Sequence, residues 1–445
     1  MVFIILVIFA IALYVWGYKI SALIIFFFFI TSGFNLVPEE VMEVRVFSKG
    51  MDYAILIIVG IVIINSIFVK GFLKPDKFIL LILIFYAFLG ICVIYNILFV
   101  GTGLKEIIRT IRYNILWIAY LVFRSLSKEQ LQHLMKFLFL VTVFCSVLFI
   151  LQIFFDVFLL NEGGKVPHII FGYKITRFYN QPDMLQIFTF MAIYFNPLKG
   201  VKKITTTTIL ILALLGAFHR SLIIAFILAI SIGYIIRLPR PKRIAVMTSL
   251  SIIGFIFIIF FGYKFANSRT IKDISLVVSG DAANIESLDI DIEDLQKSTF
   301  TFRITHLLER NQYLLEHPIA MLFGAGLMTE DSNLADKMFD FKIGLFDETL
   351  GKTVQLDTGD ISYSVLIMRY GYIGTFIYLF LFAYLMVFFY KNKESGYGIF
   401  SFLYLIVAIC VSFFSSNLLS PTVFLLPLIS YGIIKEDLEK VSYNY

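Results

Sequence analysis

Long apolar runs separated by short charged stretches set the rhythm of this chain. They fall near residues 2–17, 20–34, 53–70, 77–99, 107–124, 134–157, 183–196, 204–218, 220–236, 244–262, 362–390, 399–416 and 421–434. Each reads as an α-helical membrane span, although several are shorter than the ~20 residues of a full crossing. The pairs 204–218/220–236 and 399–416/421–434 are short enough to tilt or turn inside the bilayer. The first 34 residues read as two spans or one long one, so the pattern predicts 12 or 13 transmembrane helices. Ala54–Val69 and Phe78–Val93 are continuously apolar, without the period-two alternation of a transmembrane β-barrel. The first run is followed by another with no Ala-x-Ala site between them, which predicts an uncleaved span rather than a signal peptide.

Composition agrees. The chain is 60% hydrophobic, 17% aromatic and only 15% charged, with a mean hydropathy of +0.90. No soluble fold hides that much apolar surface, so the fold class is an all-α polytopic membrane protein. Cys92, Cys145 and Cys410 all lie in apolar runs and read as small buried hydrophobes, with neither a disulfide framework nor a metal cluster.

Basic loops at Lys70–Lys77, Arg124–Lys136, Lys199–Lys203, Arg237–Arg243 and Lys391–Lys393 fall on one side when crossings are counted between them. The positive-inside rule makes that side cytoplasmic. The other side receives Asn35–Asp52, Leu159–Gln181, the His219–Arg220 turn and the long segment Lys264–Ile361. That segment holds seventeen of the 31 acidic residues against nine basic ones. Its first half reads as polar and acidic enough to be mobile, and its second half as helical and then turn-rich. Three parts follow: an N-terminal transmembrane bundle over 1–262, a large extracytoplasmic loop domain over 263–361, and C-terminal transmembrane helices with a cytoplasmic tail over 362–445. No internal repeat is visible, which weighs against an inverted-repeat transporter.

Within the loop domain, Thr299–Gly326 predicts an amphipathic helix. At 100° per residue, Arg303, His306, Arg310, Tyr313 and His317 fall within about 80° of one another. Ile304, Leu308 and Leu315 form a separate apolar stripe, and Pro318 stops the helix.

Positive charge on the outer side runs against topology and asks for a use. Arg109 and Arg112 lie three apart at the start of a span. Arg177 sits in KITRFYNQPDM with Asn180, Gln181 and Pro182. His219 and Arg220 tip a short helix pair, where ionisable groups at membrane depth are costly and usually functional. Arg303, His306 and Arg310 complete the set. Each has a plainer reading: snorkelling for Arg109 and Arg112, an ordinary loop arginine for Arg177, and a solvated helix face for Arg303. Together they describe a site for a lipid-linked anion, because arginine's planar fork suits phosphate. A pyrophosphate would here be held by arginines, with no metal or other cofactor.

The chain also resembles a known family. The Arg-bearing helix precedes a Gly-x-Gly turn, Gly324-Ala325-Gly326, and the next span opens Asp360-Ile361-Ser362-Tyr363 and continues to Arg369-Tyr370-Gly371-Tyr372-Ile373-Gly374. This is similar to the Wzy O-antigen polymerase and O-antigen ligase superfamily. AFHRSLIIAF resembles that family's Ser-Arg-Ser/Gly turn with His219 in the serine's place. RFYNQPDML resembles its Asn-Pro segment with Gln181 inserted before Pro182. Members that ligate glycan to lipid A core carry His-Asn where this chain has Asp360 and Ile361, so the resemblance favours polymerase.

The resemblance implies transfer of a growing oligosaccharide from undecaprenyl pyrophosphate to a sugar hydroxyl of another lipid-linked repeat unit. This takes place on the outer face of a bacterial inner membrane, for O-antigen, capsule or exopolysaccharide. Partners would be the lipid-linked oligosaccharide, membrane lipid, a chain-length regulator and a flippase, with no nucleic acid. The candidate base is Asp360, then His306, with Arg303 beside them. Asp360 reads equally as a helix N-cap. Arg177, Arg220, Arg303, Arg310 and Arg109 are the candidate pyrophosphate ligands, and His219, Asn180, Tyr313 and Tyr363 the candidate sugar contacts. Arg369 is a weaker candidate, and the Gly371/Gly374 pair predicts close helix packing. The alternatives are a ligase-like glycosyltransferase and a polysaccharide flippase or transporter.

Overall fold

The computed structural model describes residues 2–42, 49–161, 163–170, 173–239, 241–246, 248–249, 299–341, 346–347, 351–356 and 358–442. It is mostly helical (74%), and five helices are long and apolar enough to cross a membrane. The first half of the loop domain and most of the 244–262 span lie outside the described residues.

The opening apolar stretch is two helices, α1 (Val2–Val15) and α2 (Lys19–Ile30), broken at Gly17, whose φ of +92° a side chain would resist. A short α3 (Glu39–Met42) follows, then α4 (Gly50–Phe68) and α5 (Lys77–Tyr95). The span expected over 107–124 is not one helix. It is α6 (Leu104–Ile111), a 3₁₀ stretch (Arg112–Ile118) and α7 (Ala119–Arg124). Trp117 in that stretch is buried and stacks on Phe424 at 4.1 Å. α8 (Lys128–Phe155) starts six residues before the expected 134, because Ser127 and Gln130 form a reciprocal capping box. The basic loop expected over Arg124–Lys136 is therefore largely helix.

The segment after α8 is not a plain loop. β1 (Lys165–Ile170) and β2 (Tyr173–Phe178) pair antiparallel, with Val166 opposite Arg177. Then come α9 (Leu185–Tyr194), α10 (Gly200–Gly216) and α11 (Arg220–Arg237). In the stretch expected to form a loop domain lie α12 (Thr299–Glu316), α13 (Pro318–Phe323), α14 (Ala335–Met338) and a two-residue pairing of β3 (Phe346–Asp347) with β4 (Lys352–Thr353). The two hairpins correct the all-α expectation in detail. α15 (Ser362–Lys391), α16 (Gly396–Val411) and α17 (Thr422–Ser442) complete the described chain.

One apolar core runs through the bundle, and a smaller one of Leu314, Met328, Phe339, Phe341 and Leu356 seats the loop segment on Ile367 and Met368 of α15. Two glycines make that seat possible. α15 is broken at Gly371 (φ +62°), where an added Cβ would lie 2.6 Å from the Leu322 carbonyl carbon of α13. Gly374 faces Phe88 of α5 as closely, so the expected close packing at this pair is present. The segment is pinned further by the Ala325 amide donating to the Met368 carbonyl at 2.8 Å and the Leu327 amide to Asn96 Oδ1 at 2.6 Å.

At the opposite end of α5, Asp76 caps the helix by accepting from the Phe78 and Ile79 amides. Its carboxylate also takes the Tyr120 hydroxyl at 2.6 Å, Lys435 of α17 at 2.5 Å and Arg124 at 3.6 Å. This cluster ties three helices at one bundle end.

Candidate functional site

α12 turns its faces the other way round from the expectation of an outward cationic face. Phe302, His306, Arg310 and Leu314, four apart and so on one face, are buried. Ile304 and Leu308 are half-buried and Leu315 is 60% exposed. The reason lies in the partners that the polar groups find inside. The Arg310 guanidinium donates to the Gln355 carbonyl at 2.5 Å and lies 4.3 Å over the Phe341 ring. Burial pulls its pKa down to about 9 against the opposing pull of Glu309 and Glu330. Arg310 is thus the rivet that holds the 351–356 loop to α12, away from any open anion site.

His306 is equally buried. Its Nδ1 lies 3.0 Å from Ser364 Oγ of α15, and its Nε2 is buried with no hydrogen-bond partner. Burial, then the Arg310 charge, push its pKa to about 2. A ring that resists protonation this strongly and is sealed from solvent is poorly placed to take a proton from a substrate.

Arg303, one turn earlier, behaves differently. It donates to Asp360 Oδ1 at 2.9 Å, with both side chains partly exposed, and lies 5.7 Å over the Phe414 ring. Asp360 is not a helix cap. Ile361 occupies the N-cap position of α15, and no side chain accepts from the helix amides there. The carboxylate turns instead to Arg303, while its own amide donates to Thr358 Oγ1.

His219 joins the same place. Its Nδ1 accepts from the Leu222 amide at 3.3 Å and lies 3.0 Å from Ser221 Oγ, so it caps α11. With Nδ1 an acceptor, Nε2 carries the proton of a neutral imidazole. Burial lowers its pKa, the Arg177 and Arg303 guanidinium groups lower it further, and the Asp360 carboxylate works the other way. Arg177 on β2, His219 before α11, Arg303 on α12 and Asp360 before α15 therefore meet at one end of the bundle. Arg177 lies 4.7 Å over Tyr179, and among the described residues neither its side chain nor that of exposed Arg220 has a hydrogen bond or ion pair. The site holds two arginines, Arg177 and Arg303, against one carboxylate, with exposed Arg220 next to His219 in sequence, an excess of positive charge suited to a multiply charged anion.

A consequence follows for pH. Because the folded pKa of His219 is depressed from 6.5, its contribution to stability is present above that value and is lost as pH falls below it. Protonation also removes the acceptor from the Leu222 amide. Thermal stability is expected to drop between about pH 7 and about pH 5, and the drop should be smaller in His219→Asn, whose amide oxygen still caps. Equal drops in the two proteins, followed by the fluorescence of the purified protein, would remove His219 from that role.

The other candidates lie elsewhere. Asn180 is buried, accepts from Gln152 Nε2 at 2.7 Å and donates to the Asn161 carbonyl at 2.6 Å, fastening the hairpin to α8. Tyr363 donates to the Ile409 carbonyl and packs on Phe413 of the same bundle. Arg109 pairs with Asp331 at 2.9 Å and Arg112 with Asp52 at 2.8 Å. Tyr313 belongs to a different groove, at the far end of α12. Phe414 and Tyr179, the rings beneath the two arginines, carry no sequence signal, since each sits in an aromatic-rich stretch like many others. Among the described residues no three His, Cys, Asp or Glu side chains group as a metal site would need.

Fold and site define a polytopic helical membrane protein with a cationic cluster where the bundle meets its loop segment. No protein-family model matches the chain, and a comparison with curated proteins found no match.

Proposed function

We propose that this protein polymerises oligosaccharide repeat units carried on a polyprenyl pyrophosphate, by glycosyl transfer at the membrane face opposite the basic loops. The observation that carries the reading is the meeting of Arg177, His219 and Arg303 with the Asp360 carboxylate. The pairing supplies both halves of the chemistry. Asp360 takes the proton of the acceptor sugar hydroxyl as that oxygen bonds to the anomeric carbon of the donor. The bond from that carbon to the pyrophosphate oxygen breaks, and its electron pair leaves with the pyrophosphate. Arg177, Arg303 and Arg220 neutralise the departing charge, and the His219 Nε2–H offers a neutral hydrogen bond. A pyrophosphate drawing on Arg303 also loosens its hold on Asp360, so arrival of the donor readies the base.

Arg177→Ala and Arg303→Ala are each expected to leave protein abundance unchanged and to cut polymerisation by about 10²–10³-fold, leaving single repeat units on a glycan gel. Long polymer from both variants would overturn the assignment. Loss of all glycan attachment would mark a ligase instead, and accumulation of lipid-linked units on the cytoplasmic side would mark a flippase.

A further inference from the structure

The far end of α12 carries a second feature that the arginine cluster does not use. A groove of about 540 Å³ runs between the end of α5 and the α12–α13 junction, lined in part by Tyr95, Phe99, Tyr313, Glu316 and His317. Its walls are aromatic platforms. Tyr95 and Phe99 stack at 5.8 Å on one side, and Tyr313 and His317 stack at 4.2 Å on the other. Phe99 is 78% exposed, and His317 and Glu316 are also exposed. The His317 Nδ1–H donates to the Tyr313 carbonyl at 2.8 Å, which leaves Nε2 as an acceptor at the groove. Gln312 donates to Glu316 Oε1 at 3.2 Å, so that carboxylate is held in place while its second oxygen stays open.

The lining selects its occupant. A hydrocarbon tail laid here would cover Val100, Ile319, Leu334 and Met338 but strip water from a carboxylate, an imidazole and two phenols with no hydrogen bond in return. A glycan does better, because the C–H face of a sugar ring covers an aromatic face while its hydroxyls reach Glu316 and His317. Position agrees with chemistry. Arg303 and Tyr313 sit on one helix, ten residues and hence about 15 Å apart, and His317 follows just past its end. A chain attached at the cluster would reach the groove a few sugars from its pyrophosphate end.

We infer that this groove is a second glycan-binding site that holds the growing oligosaccharide away from the reacting end; the inference rests on the proposed polymerase reading for its ligand. The probe is the cell's own surface polysaccharide, released by mild acid and fractionated into fragments of one and of several repeat units. Binding to the purified full-length protein in detergent should be tighter for the longer fragments. The double variant Phe99→Ala/His317→Ala should weaken that binding about tenfold or more, as loss of a central aromatic anchor does. Phe99→Trp, which keeps the ring, should retain it. In cells the double variant should give shorter polymer rather than none. Unchanged binding of long fragments by the double variant overturns the groove, as does equal weakening by Phe99→Trp. Displacement of the fragments by a polyprenyl phosphate whose own binding is lost in the double variant marks a lipid site and overturns the glycan assignment. Failure of the polymerase reading is distinguishable, because it appears as long polymer in Arg177→Ala and Arg303→Ala whatever the groove binds.

Discussion

Asp360→Asn is expected to leave the protein at normal abundance and to slow polymerisation by about 10²–10⁴-fold, the range for loss of a positioned acid or base. Asparagine matches aspartate in size and can still accept a hydrogen bond from Arg303 at the 2.9 Å contact. The pair is partly exposed, so the charge removed is worth only about 0–1 kcal/mol of stability. The helix start is not at risk, because Asp360 makes no cap bond to α15. The substitution therefore separates chemistry from folding. The measurement is polymer length on a glycan gel set beside protein abundance in the membrane fraction. Wild-type ladders from a normally abundant Asp360→Asn would reduce Asp360 to a structural partner of Arg303.

The second large effect is on the fold. Gly324→Ala should remove folded protein from the membrane, at a cost of the order of 4 kcal/mol or more. The position has φ +89°, and an added Cβ would lie 2.3 Å from the Arg369 carbonyl oxygen and 2.8 Å from the Tyr370 amide nitrogen. Both are backbone atoms of α15 and cannot swing aside. Gly90→Ala is the matching control: it sits inside α5 with nothing within 4 Å of the added carbon, so it should be tolerated. Detergent-extracted protein run on a sizing column tests both. A monodisperse, normally abundant Gly324→Ala would mean that α13 can pull away from the break in α15 without harm.

Much of the bundle was legible because membrane hydropathy is a strong one-dimensional signal. Among the described residues helices stand at most of the expected spans, the one over 107–124 being broken into pieces, and the errors are instructive. The break at Gly17 and the start of α8 depend on single backbone or cap contacts that a hydropathy window averages away. The β1–β2 hairpin was missed because KVPHII and YKITRF are short and sit in a stretch read only for its polar residues. At the site, the pattern brought out Arg177, His219 and Arg303 individually, since positive charge outside the positive-inside loops is conspicuous, while Asp360 entered through the family resemblance. It could not sort Arg303 from Arg310. Both lie on one helical face, and only the tertiary partners decide that one meets Asp360 and the other is sealed under Gln355. Tyr313 was noticed for the same face and belongs to another groove, for the same reason.

The Asp76 cluster bears on how the bundle is assembled in time. Lys435 follows Asp76 by 359 residues, whereas Tyr120 follows it by only 44. At about 5–20 residues per second, the lysine is made roughly 20–70 s after the carboxylate it will meet. Throughout that interval the carboxylate already has its own helix amides, Tyr120 and Arg124 as companions. The early helices can thus wait in the bilayer without an orphaned charge, and α17 closes the assembly by docking onto a post that was set long before it.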